Sequence, residues 1–159
     1  MRKANYDKFP STKLTGMLVQ GWDSIISMLK EKMDARKVLA VDLYTGVYEE
    51  EVLDAFSKEF SGRVMNVRDL MKPEKEIQTL TERFMTEDVL FGYVTNLKLE
   101  DYLDADKVAA ARKQISEAKE TIVIIGTGAA VVAPQDAMVV YADMARWEIQ
   151  QRFRRHEVK

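Results

Sequence analysis

The stretch Glu120–Arg155, ETIVIIGTGAAVVAPQDAMVVYADMARWEIQQRFRR, constrains the fold more than any other part of the chain. Thr121–Ile125 is a short apolar run rich in β-branched residues, and it stops at Gly126-Thr127-Gly128. That pattern describes a strand buried on both faces that enters a tight turn. A second run, Ala137–Tyr141, follows a turn at Pro134–Asp136 and ends at Asp143, and an arginine-rich amphipathic helix begins at about Ala145. Strand, glycine turn, strand, acid and basic helix in that order predict the second half of a nucleotide-handling type of α/β domain.

The first half has the same alternation. Gln20–Ala35 reads as a helix, with Trp22, Ile25, Ile26, Leu29 and Met33 on one face. Lys37–Leu43 reads as a central strand, and Glu49–Phe60 as a helix with Val52, Leu53 and Phe56 inward. Arg63–Val67 reads as the next strand. Pro73 is expected to open a helix at its first position, with Ile77, Leu80 and Phe84 on one side. Residues 86–103 read as an irregular cover over the sheet edge, and Asp104–Ala118 as a helix with Asp104 at its N-cap. Residues 1–19 read as an extended lead-in. The expectation is one domain over residues 1–159: a three-layer α/β/α fold with a mostly parallel sheet and helices on both faces.

Composition narrows the function classes. A net charge of −2 argues against a nucleic-acid-coating protein, and no apolar run reaches the ~18 residues that span a bilayer. The first residues, MRKANYDKFPSTK, lack the apolar segment of a signal peptide. With no cysteine and a single histidine, His156, neither disulfides nor a multi-histidine metal centre is expected, which fits a cytoplasmic setting. No cofactor and no metal site is expected.

In a parallel sheet the ligand rim lies beyond the carboxyl ends of the strands. The loop after the first strand is where a phosphate cradle would sit, but Tyr44–Glu51 offers only Thr45 and Gly46, no lysine, and then Glu49, Glu50 and Glu51. Glycines and a lysine are what such a cradle needs. Gly126, Thr127 and Gly128 form a second candidate, an anion cup of backbone N–H groups at a helix start. A plain strand-to-helix turn is the alternative reading for both. Asp69 and Asp143 each follow a strand and are the candidate catalytic carboxylates, if they meet at the rim; a cap or turn role is the alternative. Arg146, Arg152, Arg154 and Arg155 make the last helix basic and could clamp phosphate, Arg146 and Arg152 being the candidate ligand residues, against a solvated basic helix end.

KVLAVDLYTGVYEEEV, EDVLFGYVTNLKLEDYLDADKV and above all VVYADMARWEIQQRFRR resemble the N-terminal domain of long-form class I mannose-6-phosphate isomerase proteins. In that family an α/β domain precedes the cupin barrel that isomerises the sugar phosphate. The domain is itself similar to the P-loop kinase fold of nucleoside kinases. The resemblance implies a P-loop-kinase-like domain with a degenerate phosphate loop. It would have a regulatory, ligand-sensing or interaction role, with a sugar phosphate or nucleoside-like ligand and a cupin isomerase domain as partner. The zinc ligands of that family belong to the barrel, which these residues do not contain, so isomerase activity is not expected of this chain alone. A sugar or nucleoside kinase with an altered loop is the enzymatic alternative, and a purely structural module is the third reading.

Overall fold

The computed structural model describes residues 6–158 apart from 8, 14, 34, 36, 61, 89 and 90. Four strands form one all-parallel sheet: β1 (Val38–Leu43), β2 (Arg63–Asn66), β3 (Ile122–Gly126) and β4 (Met138–Ala142), in the order β2-β3-β1-β4. Six α-helices accompany them among the described residues: α1 (Trp22–Met33), α2 (Glu49–Glu59), α3 (Glu74–Glu82), α4 (Ala105–Glu117), α5 (Ala129–Val132) and α6 (Arg146–Arg154). The strands and most helices lie where hydrophobic periodicity predicts them.

The order explains the layers. From β1 the chain crosses past β3 to β2, then turns back to β3 and crosses over β1 to β4. Parallel crossovers share one hand, so reversing direction moves the helices to the other face of the sheet. The side chains follow this rule. Leu39, Val41, Leu43, Val123 and Ile125 pack with Ile26, Leu29 and Met33 of α1 and Val52 and Phe56 of α2. Their strand neighbours Val38, Ala40, Ile122 and Ile124 point the other way. They pack with Val108, Ala111 and Ile115 of α4 and Ala129 and Val132 of α5. β1 and β3 are central and buried on both faces, as their unbroken apolar runs require.

Several local expectations need adjustment. Asp104 caps α4 as expected, its carboxylate accepting from the N–H groups of Asp106 and Lys107 at 3.0 Å each. Pro73 is the N-cap residue of α3, one position earlier than expected, and α3 ends before Phe84. No residue of α3 is fully buried, so its predicted face is only a half-buried one. Of the expected cover over 86–103, residues 89 and 90 lie outside the described residues, and the described part is largely exposed. Tyr93 N–H bonds back to the Phe84 carbonyl at 2.8 Å, and Phe91, Tyr93 and Val94 stay exposed. Among the described residues of this stretch only Leu103 enters the core, and Leu99 packs against Gly128. The lead-in lies partly outside the described residues; its described part, 6–7, 9–13 and 15–19, has neither helix nor strand.

β4 is an edge strand covered on one face only. Met138, Val140 and Ala142 pack with the α1–α2 core, while Val139 and Tyr141 face outward and are exposed. The short α5 lies chiefly against β1 and β3.

Candidate functional site

The crossovers leaving β1 and β3 diverge to opposite faces, and the crevice between their carboxyl ends is the switch point of the sheet. A cavity of about 550 Å³ lies there. Thr45, Gly46, Glu49 and Glu50 line it from the β1–α2 connection, Arg68 from the turn after β2, Thr127 from the turn after β3, and Glu157 from beyond α6. The Thr127 hydroxyl donates to the Leu43 carbonyl at 2.9 Å and ties the two central turns together. A second cavity of about 540 Å³ sits at the amino ends of the strands, near Lys37, Arg112 and Asp136. There Arg112 is already engaged with the carbonyls of Val131 and Val132, at 2.7 and 3.4 Å. The position of the first cavity, rather than its size, makes it the candidate site.

The glycine turn does not offer an open anion cup. Asp42 is on the same face of β1 as Ala40, so its side chain reaches the start of α5. Its two oxygens accept from the N–H of Gly128 at 3.1 Å and of Ala130 at 2.9 Å. The charge that backbone N–H groups favour there is supplied by the chain itself. The glycines have a steric reason as well. Gly126 has φ +134°, and a Cβ on it would lie 2.9 Å from the Cβ of Val67. The turn packs too closely for any larger residue.

The start of α2 is acidic. Glu49 Oε2 accepts from Arg68 Nη2 at 2.6 Å, and Glu49 Oε1 is buried without a partner. Arg68 is thereby paired within the chain where it borders the cavity. Glu51 points away from the cavity and takes the indole N–H of Trp22 at 3.0 Å, which joins α1 to α2.

α6 closes the site from above. Ile149 packs on Gly46, where a Cβ would meet its side chain at 3.1 Å. Arg152 Nη1 donates to the Gly46 carbonyl at 2.6 Å, and its guanidinium lies 3.6 Å from the centre of the Tyr48 ring. This arginine clamps the loop rather than an open phosphate position. Beyond the helix, Glu157 accepts from Arg155 Nε and Nη2 at 2.6 and 2.8 Å and from the Tyr48 hydroxyl at 2.5 Å. Arg155, then Tyr48, hold the Glu157 carboxyl down at about 2. The same bond, seen from Tyr48, raises the phenol above 10.0. Glu148 is lowered by Arg155 and then by Arg152, which it meets at 3.0 and 3.3 Å.

The predicted site residues therefore divide. Thr45, Gly46 and Thr127 line the cavity, and Arg152 borders it through Gly46 and Tyr48. Gly126 and Gly128 shape the adjacent turn. Arg146 is exposed at the start of α6. Asp69 and Asp143 do not meet. They follow β2 and β4, the two opposite edges of the sheet, which three strand spacings separate by roughly 14 Å. Both are exposed, and Asp143 accepts from the neighbouring Met144 N–H at 2.7 Å. Sequence reasoning places Tyr48 and Arg68 on the rim and Arg155 among the basic residues of the last helix, but it misses Asp42 and Glu157. Asp42 carried a signal, as the one charge in an otherwise apolar strand. Glu157 carried none, because its partner Tyr48 is more than a hundred residues away.

A family described as a domain of unknown function (DUF8485) matches residues 21–159. The chain belongs to that family. No curated protein and no solved structure matches it. In this DUF8485 chain the match takes in every helix and strand described above, together with the whole cavity.

Proposed function

We propose that the chain is a non-catalytic, P-loop-kinase-like domain that senses a small ligand at the switch point and works in association with a mannose-6-phosphate isomerase barrel. One observation carries the ligand-sensing part. The cavity at the switch point is open, while the groups that phosphoryl transfer would need there are absent or engaged within the chain. Transfer depends on positive charge around the β- and γ-phosphates. The glycine turn holds Asp42, Arg68 pairs with Glu49, and Arg152 holds Gly46. What remains are the Thr45 hydroxyl, the lone pairs of the Thr127 hydroxyl and the Glu50 carboxylate, which suit the hydroxyls of a sugar or nucleoside.

The resemblance of VVYADMARWEIQQRFRR and its companion segments supports the association with the isomerase. The uncovered apolar face of β4, with Val139 and Tyr141 exposed, is consistent with a neighbouring domain.

Two measurements test the reading. A thermal-shift screen of sugar phosphates, sugars and nucleosides should find a stabilising ligand, because a ligand at 100 times its dissociation constant adds about 2.7 kcal/mol. A screen in which none stabilises the chain returns it to the structural-module reading. Calorimetry with Mg·ATP should show nothing tighter than about millimolar, roughly −4 kcal/mol. Micromolar binding lost on Gly46→Val would return the chain to the kinases.

A further inference from the structure

Glu157 lines the switch-point cavity, and three donors hold its carboxylate. Arg155 grips its carboxylate side-on through Nε and Nη2, and the Tyr48 hydroxyl adds a third donor at 2.5 Å. Charge-assisted, two-pronged pairing of this kind is how arginine binds carboxylate and phosphate. Around Glu157 stand Arg152, Arg155 and Glu148, linked by bonds of 3.3 and 3.0 Å. Among the described residues, two guanidiniums face two carboxylates when Glu157 is in place. Without it, two guanidiniums face one carboxylate, and arginine cannot shed its proton to compensate. The position is therefore a subsite that calls for an anion.

The backbone that delivers Glu157 is a helix end. The N–H of Glu157 bonds to the Arg152 carbonyl at 3.0 Å and that of His156 to the Phe153 carbonyl at 3.0 Å. This is the paired closure in which a residue with positive φ, usually glycine, ends a helix. Here that residue is His156, with φ 56°. His156 thus holds a conformation that disfavours side chains, and these backbone bonds fix where Glu157 leaves the helix.

We propose that Glu157 is an internal stand-in for the single oxyanionic group of a small, hydroxyl-bearing ligand, and that this group binds to Tyr48 and Arg155 in exchange for Glu157. The ligand's hydroxyls would face Thr45, Thr127 and Glu50, which line the same cavity. A polyphosphate fits poorly, since its further charges would approach Glu49 and Glu50. The inference rests on the ligand-sensing reading above and specifies where the ligand's charge is held.

The test titrates inorganic phosphate into the full chain at constant ionic strength, with binding followed by NMR at Tyr48 and Arg155. Glu157→Gln should bind phosphate about tenfold more tightly than the unmodified chain. That factor follows if the tethered carboxylate fills the subsite about nine-tenths of the time. Glu157→Ala, which truncates the same exposed side chain, should show the same gain. Adding Arg155→Ala to Glu157→Gln should abolish it. Equal affinity with and without Glu157, or a gain that survives loss of Arg155, overturns the proposal. If a neutral sugar or nucleoside stabilises the chain while Glu157→Gln leaves phosphate affinity unchanged, the subsite falls and the ligand-sensing reading stands. A phosphate gain in Glu157→Gln with no stabilising ligand in the screen does the reverse.

Discussion

Asp42 shows how a single side chain decides what a glycine turn can do. A free Gly-Thr-Gly turn at a helix start presents N–H groups to solvent or to an anionic ligand. Here the Gly128 and Ala130 N–H groups are bonded to a carboxylate from the neighbouring strand. Asp42→Ala should leave both without that acceptor and lower stability by about 1–2 kcal/mol, the lower end applying if water reaches Ala130. Asp42→Asn should cost less, because its amide oxygen can keep one of the two bonds. Urea denaturation of both variants checks the order; an Asp42→Ala chain as stable as the original would show that the contact contributes nothing.

At the scale of the element, the end of α6 is the informative case. His156 adopts φ 56°, where a β-carbon is unfavourable and glycine is at ease. His156→Gly should raise stability by about 0.5–1 kcal/mol, read as a higher denaturation midpoint. The same turn should respond to pH in a defined direction. The Glu157 carboxyl lies at about 2 in the folded chain against an ordinary 4.5. A depressed acid stabilises the fold above its unfolded value, and that contribution is lost as pH falls between 4.5 and about 2. Tyr48, raised above 10.0, acts at the alkaline end. Its contribution is complete below 10.0 and fades as pH rises through the raised value. The amide resonances of residues 155–158 should therefore loosen at both extremes and hold between them. Because the groups are exposed, added salt should weaken the effect.

On the scale of the whole molecule, two cores share one sheet. Ile124 is fully buried under α4 and α5, and Leu29 of α1 is buried on the opposite face. β1 and β3 contribute to both cores through alternate residues, so neither face can open without disturbing the strands of the other. Ile124→Ala and Leu29→Ala should each cost about 2–5 kcal/mol. Both should shift one unfolding transition without changing its denaturant dependence. Two separate transitions in either variant would mean that the faces fold independently.

The linear order of residues was enough for the elements and their layering. Apolar runs of β-branched residues mark β1 and β3, helical spacing marks α1, α2 and α4, and alternation of the two implies a parallel sheet. These signals are local, because a strand or helix records its burial in its own periodicity. The site was legible only in part. Thr45, Gly46 and Thr127 were found because ligand rims follow strand ends, a rule that needs only the element order. The rest depended on which strand lies beside which. Asp69 and Asp143 looked alike in sequence, yet the order β2-β3-β1-β4 sends them to opposite edges. Asp42 fills the glycine turn because β1 and β3 are neighbours, with Asp42 level with Gly126. Glu157 meets Tyr48 because α6 folds back over the β1–α2 loop, at a Gly46 that leaves room for Ile149. Periodicity along one segment does not encode such pairings, which arise only when distant segments pack together.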